Sequence, residues 1–319
     1  AKYKYDFNNH YFKGDIKMTK DPASRLQDFL VFGEYGGVNP SIEDSSTFTF
    51  MTADKMKEIF EHELEGCFLY SRHLNPTNRY LGTAISLMEG ADDTKITASG
   101  MAAIACAVLQ ICGTGSEIVS SRTIYGGTYA LLKNFLPKLG IKTHFVNITD
   151  LDAVKAKIND KTKIIYTETI SNPLLEVADT PALRKIADEH NLTLIVDNTF
   201  SPMMLTPLSH GAHVVVHSLT KFINGASDTV AGAVCGNSDF IASLRDVNSG
   251  AAMLLGPVLD SMRSASILKN MRTLNIRMQQ HSKNAMYLAK NLKELGLNVF
   301  YPGLEEHPQH SLLKSMLNP

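Results

Sequence analysis

Apolar positions along the chain fall into short blocks with two different periods. From about residue 92 onward, TKITAS, SEIVSS, KTHFVN, TKIIYTET, LTLIVDN and HVVVH are runs of strand length. The run from His213 to His217 is continuously apolar in its middle rather than alternating, as expected of a parallel strand covered on both faces. Between these runs, MAAIACAVLQIC, TYALLKNFLPKLG, LDAVKAKI and TPALRKIADEH carry apolar residues at helical spacing. The alternation predicts a mostly parallel sheet of about seven strands with intervening helices, in an α/β domain of about 190 residues.

The pattern is weaker on the N-terminal side. Residues 1 to about 65 are polar and irregular, with Gly33, Gly36, Gly37 and Pro40 before SSTFTF and a short helical pattern in DKMKEIFEHEL. Such a segment has little core of its own and is expected to lie as an arm on the body of the chain or on a neighbouring subunit. In residues 66–90, Asn75-Pro76-Thr77 marks a turn or helix cap, and Tyr80 to Met88 has helical spacing. A length of 319 residues suits one large domain with a smaller one.

Composition narrows the function classes. Hydrophobic residues make up 44%, charged residues 20%, and the net charge is -1, so the basic excess needed to bind nucleic acid or an anionic membrane is missing. Cys67, Cys106, Cys112 and Cys235 form no CxxC pair, which suits free thiols in a reducing cytoplasm and offers no metal site. Apolar stretches stop short of the roughly 18 residues of a membrane span, and AKYKYDFNNHYFKGD lacks the apolar core of a secretion signal.

The chemistry is sought at the strand ends, where open α/β sheets bind ligands. Lys221 follows HVVVH, directly after the stretch Ser218-Leu219-Thr220; it is either a solvated surface lysine or an amine beside two phosphate-binding hydroxyls. Ser99-Gly100-Met101 opens a helix after TKITA, as a plain N-cap or as an anion site. Neither GxGxxG nor GxxxxGK[ST] is present, which disfavours a dinucleotide or nucleoside triphosphate. Asp197 ends the nearly all-apolar LTLIVDN, where a buried carboxylate needs a donor or cationic partner. Either an Asp-Asn turn supplies that partner or the N–H of a pyridinium ring does. An aspartate against that nitrogen, with a lysine Schiff base, is how a protein makes pyridoxal phosphate an electron sink. Tyr125, beside Gly126 and Gly127, could stack on such a ring or simply pack.

Together, YSRHLNPT, ASGMAA, YGGTYALL, ETISNP, IVDNTF and HSLTKF, in this order and spacing, followed by RTLNIRMQQHS and YPGLEEHPQH, resemble the Cys/Met-metabolism (trans-sulfuration) family of pyridoxal-phosphate enzymes. The resemblance runs from about residue 30 to the end of the chain. It implies the fold of the aspartate aminotransferase type (fold type I): a mostly parallel seven-stranded sheet with helices on both faces, an N-terminal arm and a C-terminal α+β domain. By the same resemblance, Lys221 carries the cofactor, Asp197 binds its ring nitrogen, and Tyr125 stacks on the ring and assists proton transfer. Ser99, Gly100, Met101, Ser218 and Thr220 would hold the phosphate, with Tyr70 and Arg72 reaching it from the adjacent subunit. Asn172 would lie near the ring oxygen. A partly buried Lys221 would take the Cα proton of the substrate. A homotetramer built from two active dimers is implied.

The implied activity is carbon–sulfur γ-elimination on a methionine-like substrate, giving 2-oxobutyrate, ammonia and a thiol. The alternatives are γ-replacement, as in an O-acylhomoserine sulfhydrylase or cystathionine γ-synthase, and cystathionine γ-lyase. Leu69 stands where relatives that recognise cysteine or cystathionine resemble one another in carrying an acid, which favours an apolar or O-acylated side chain. Gly127 stands where methionine γ-lyases resemble one another in carrying cysteine, which points the other way. The implied division is an arm over 1–65, a cofactor domain over 66–255, and a linking helix with the start of a C-terminal domain over 256–319. The resemblance further implies that the arginine gripping the substrate carboxylate lies beyond Pro319.

Overall fold

The computed structural model describes residues 21–27, 29, 31–33, 35–50, 52–61 and 67–319. The expected arm's first 20 residues, residues 28, 30, 34 and 51, and residues 62–66 lie outside the described set. Within it, α1 (Pro22–Gln27) and α2 (Ala53–Glu61) precede α3 (Pro76–Glu89). The side chain of Asn75 caps α3 by accepting the N–H groups of Thr77 and Asn78, Pro76 fills the first turn, and Gly90 closes the helix at φ 70°. The cap and stop fall where an N-cap asparagine, an early proline and a terminal glycine put them.

The sheet then alternates with helices: β1 (Asp93–Thr97), α4 (Gly100–Ile111), β2 (Glu117–Ser121), α5 (Gly126–Ala130), β3 (Lys142–Val146), α6 (Leu151–Lys155), β4 (Thr162–Glu168), α7 (Thr180–Glu189), β5 (Thr193–Asp197), β6 (Val214–Ser218) and β7 (Gly232–Gly236). Their order across the sheet is β1-β7-β6-β5-β4-β2-β3. The pairs β2–β3, β2–β4, β4–β5 and β5–β6 are parallel, and β7 runs antiparallel to both β6 and β1. The segment 219–231 between β6 and β7 contains turns and no helix, so the chain doubles back without the crossover that a parallel pair requires.

The consecutive apolar residues divide between two cores. Ile165, Leu194, Val196 and Val215 pack with Leu81 and Ile85 of α3 on one face. Ile164, Ile195, Val214 and Val216 pack with Ala103, Ala107 and Val108 of α4 on the other. Helices on both faces therefore explain why these strands do not alternate, and each such side chain contributes about 1.5–3 kcal/mol of burial. The expected helix TYALLKNFLPKLG is α-helical only to Ala130; it continues as a π turn over Leu131–Phe135 and a tighter 3-10 turn over Leu136–Leu139. Pro137 has no N–H to continue the α ladder, and Gly140 ends the segment at φ 75°.

Beyond the sheet come α8 (Ser238–Arg245), α9 (Ala251–Leu255), α10 (Ser261–Met271), α11 (Leu274–Glu294) and α12 (His310–Met316). The last is tied back to the sheet domain. Leu313 and Met316 share a small core with Ile170, Val177 and Leu205, and the Gln309 amide bonds both N–H and C=O of Val177. Among the described residues no helix is long and apolar enough to cross a membrane.

Candidate active site

The carboxyl ends of β1, β2, β4, β5 and β6 lie along one edge of the sheet, which follows from their common direction. Thr97 of β1 and Ser218 of β6 flank the same residue of β7, Gly232, and Glu168 of β4 is level with Asp197 of β5. The loops leaving these ends carry Ser99, Tyr125, Asn172, Thr199 and Lys221.

Asp197 is 8% exposed. Its Oδ1 accepts the Thr199 N–H at 2.9 Å, whereas among the described residues Oδ2 meets the Tyr166 hydroxyl at the long distance of 3.5 Å. Burial raises the pKa of this carboxyl above its ordinary value, against the hydrogen bonds from Thr199 and the charge of His217. A ring N–H set against Oδ2 would hold the group ionised and supply the partner it lacks. A pyridine nitrogen fits the donor set at this point.

Glu168 is the second carboxyl on this edge and was not assigned a role from the sequence. Its Oε1 accepts the Tyr125 N–H at 2.7 Å, and its Oε2 accepts the Asn172 N–H at 2.8 Å. Burial, and then the neighbouring Asp197, push it up to about 7. The pattern that could have revealed it is the one that revealed Asp197, a charged residue ending an apolar strand.

The anion cradle is built from close backbone approaches. Ser99 caps α4 by accepting the Ala102 N–H at 3.0 Å, and the next amides, of Gly100 and Met101, have no acceptor within the helix. A Cβ on Gly100 would stand 2.6 Å from the Ser218 Cβ, so α4 and β6 meet here only because residue 100 is glycine. A Cβ on Gly232 would overlap the Ser99 carbonyl. The Ser218 N–H donates to the Thr199 hydroxyl at 2.7 Å. This grouping of amides and hydroxyls at the start of α4 suits a phosphate. On the far side, a Cβ on Gly127 would lie 2.5 Å from the Tyr125 ring and 3.2 Å from the Met101 sulfur. The contacts thus close a ring: Tyr125, Glu168, Asp197, Thr199, Ser218, Gly100, Met101, Gly127 and back to Tyr125.

Lys221 follows β6 in the turn, with its N–H on the Ser218 carbonyl at 3.3 Å, and its side chain is exposed rather than partly buried. The Thr220 hydroxyl donates to the Ala231 C=O at 3.3 Å and accepts the Ala231 N–H at 3.1 Å. Tyr70 and Arg72 stand outside the ring of contacts. Arg72 lies 5.6 Å from the centre of the Tyr70 ring and donates to the Met253 carbonyl at 2.8 Å. Behind Asp197, a buried network that the sequence did not reveal joins three elements. Glu89 Oε1 is 2.8 Å from both His217 Nε2 and Asn198 Nδ2, and the Asn198 carbonyl accepts the hydroxyls of Thr169 and Ser201.

Residues 31–319 match the family described as Cys/Met metabolism PLP-dependent enzyme. The chain belongs to this family. It is 45% identical over 304 residues to a methionine γ-lyase of Arabidopsis thaliana, an alignment spanning 93% of this chain and 69% of that protein. It is 37% identical over 285 residues to an O-succinylhomoserine sulfhydrylase of Pseudomonas aeruginosa, covering 88% of this chain and 69% of that one. Among solved structures, a putative O-acetylhomoserine (thiol)-lyase of Campylobacter jejuni carrying pyridoxyl-lysine monophosphate superposes with TM-score 0.84 at 27% identity, covering 93% of this chain and 82% of that chain. As a member of the family, this chain is a pyridoxal-phosphate enzyme, with the fold type I architecture of its structural neighbours.

Proposed function

We propose that this chain performs γ-elimination on methionine or a similar sulfur amino acid, releasing 2-oxobutyrate, ammonia and a thiol. The observation that carries the reading is the buried Asp197 carboxylate with one oxygen weakly bonded, one strand from the strand leading to Lys221. Similarity to the plant methionine γ-lyase supports the choice of substrate. Pyridoxal phosphate, when bound, withdraws electrons from the substrate's Cα. Asp197 holds the ring N–H, and the amides of Gly100 and Met101 with Ser99 and Ser218 bind the phosphate. Thr220 joins them if its hydroxyl turns from Ala231. Asn172 would sit by the ring oxygen, and Tyr125 would cover the ring. Lys221 would take the Cα proton of the substrate; its exposed position leaves the amine free to swing. Lys221 and Tyr125 then serve the second proton movement, at Cβ, and protonate the departing sulfur.

Tyr70 and Arg72 act on the phosphate of an adjacent subunit in a homotetramer of active dimers. Among the described contacts, Arg72 reaches Met253 and the Tyr70 ring rather than a member of this chain's own ring of contacts, which supports that arrangement. Mixing Arg72→Ala with Lys221→Ala subunits should restore activity in hybrids, and hybrids as inactive as both parents would exclude shared sites.

γ-Replacement on an O-acylated homoserine is the second reading, favoured by the lack of a side chain at Gly127 and by the similarity to a sulfhydrylase. The purified protein, given methionine, cystathionine and O-acylhomoserines with and without thiol, should form 2-oxobutyrate fastest from methionine. Thioether formation from O-acylhomoserine in preference to elimination would establish the replacement reaction instead, and pyruvate would establish β-elimination.

A further inference from the structure

We propose that Glu168 is a positioning residue that fixes the two loops flanking the cofactor ring by binding one backbone N–H from each. The proposal rests on the cofactor role of Tyr125 and Asn172 given above, and assigns a function to a side chain that touches neither cofactor nor substrate.

The geometry carries it. Glu168 ends β4, whose neighbours in the sheet are β2 and β5, so its backbone is among the most constrained on this edge. Its side chain is 7% exposed, yet both of its oxygens are occupied at short distances, one by Tyr125 N–H at 2.7 Å and the other by Asn172 N–H at 2.8 Å. The two donors come from different crossovers, 43 residues and four residues away in sequence. At the N-cap of α5, Tyr125 makes no side-chain cap bond; the Asn172 turn is also held by the Ser171 hydroxyl, which accepts the Glu176 N–H at 2.9 Å, but the Tyr125 and Asn172 side chains are both exposed, so the Glu168 bonds fix their backbones. Glu168 is also level with Asp197 on the next strand. One carboxylate therefore fixes the loop of the stacking residue and the loop of the ring-oxygen residue relative to the strand that grips the ring nitrogen.

A carboxylate is needed for this, because it offers two equivalent acceptors, while an amide of the same shape offers one and points N–H groups at the second donor. Glu168→Gln should keep the fold, since volume and shape barely change, and release one loop. If the released loop spends about a tenth of its time in the binding conformation, the apparent dissociation constant for pyridoxal phosphate rises about tenfold.

The test uses the full chain at about pH 8, above the range in which the folded chain keeps the Glu168 proton, stripped of cofactor and then titrated with pyridoxal phosphate. Hydrogen exchange in the cofactor-free protein should show the Tyr125 and Asn172 amides protected in the wild type, and at least one of them exchanging about tenfold faster in Glu168→Gln. The variant should bind pyridoxal phosphate about tenfold more weakly, with an altered visible circular dichroism band, which reports the tilt of the bound ring. Glu168→Asp, which keeps two acceptors on a shorter arm, should recover part of both effects and provides the comparison if Glu168→Gln does not fold. Equal exchange in wild type and variant, or equal affinity with an unchanged dichroism band, overturns the positioning role and leaves the proposed function standing. A wild type that takes up no pyridoxal phosphate while its amides remain protected overturns the proposed function and the positioning role, and leaves only the hydrogen bonds.

Discussion

The Glu168 carboxyl should make folding stability fall as pH rises through the weakly acidic range. Its pKa is pushed from the ordinary 4.5 up to about 7 by burial and then by Asp197, against the two backbone N–H bonds from Tyr125 and Asn172. Tyr166, on the same strand, and Asp197, on the next, are the titratable groups coupled to it. Below pH 4.5 the group is protonated in both folded and unfolded chains and has no effect on the slope. Above that, the unfolded chain releases its proton while the folded chain retains it, so stability drops until about pH 7 and then levels. At about 1.4 kcal/mol per pH unit, the drop from this group is about 3 kcal/mol. Urea denaturation of cofactor-free protein at half-unit steps from pH 4.5 to 8 measures it, and Glu168→Gln should flatten the profile by about that amount. Wild-type and variant profiles that run parallel across the whole range would refute the reasoning, because the carboxyl would then titrate alike folded and unfolded.

Three other substitutions probe separate parts of the site. His217→Ala leaves the fully buried Glu89 side chain with the Asn198 amide but without its imidazole partner and should cost about 3–5 kcal/mol in denaturation; a loss under about 1 kcal/mol would mean that the imidazole does little to hold Glu89. Gly100→Ala places a Cβ 2.6 Å from that of Ser218, which must push α4 from β6 and weaken pyridoxal phosphate binding by about tenfold or more; wild-type affinity would show that this junction is not the phosphate site. Gly127→Ala brings a methyl group 2.5 Å from the Tyr125 ring, and should lower kcat through displacement of that ring while the cofactor is still taken up. An unchanged kcat would remove Tyr125 from the proton transfers.

Much of this architecture is legible in the pattern of the chain because double burial removes alternation. Ile164–Ile165 and Val214–Val215–Val216 read as buried parallel strands, and each sends neighbouring side chains to opposite cores. The strand ends follow directly, which is why Ser99, Tyr125, Asp197 and Ser218 could be sought on one edge. The reversed direction of β7 is less legible, since AGAVCG reads the same either way; only the helix-free connection before it carries the information. The π turn over Leu131–Phe135 carries no residue signal in the chain, and of the switch in 131–139 only the 3-10 turn has a legible mark, Pro137. Glu168 and the Glu89–His217 pair were missed for a different reason. Hydrogen bonds from backbone amides leave no residue pattern, and Glu89 and His217 are 128 positions apart. What betrays them is a charge at the end of an apolar run, the same feature that singles out Asp197.

Lys221 as the cofactor's attachment point is tested most directly by reducing the cofactor-loaded protein with borohydride, digesting it, and locating the pyridoxyl group by mass spectrometry. The group should be found on Lys221, and Lys221→Ala should lose both the adduct and the visible absorption of the protein. A pyridoxyl group on another lysine, or undiminished colour in the variant, would contradict the assignment.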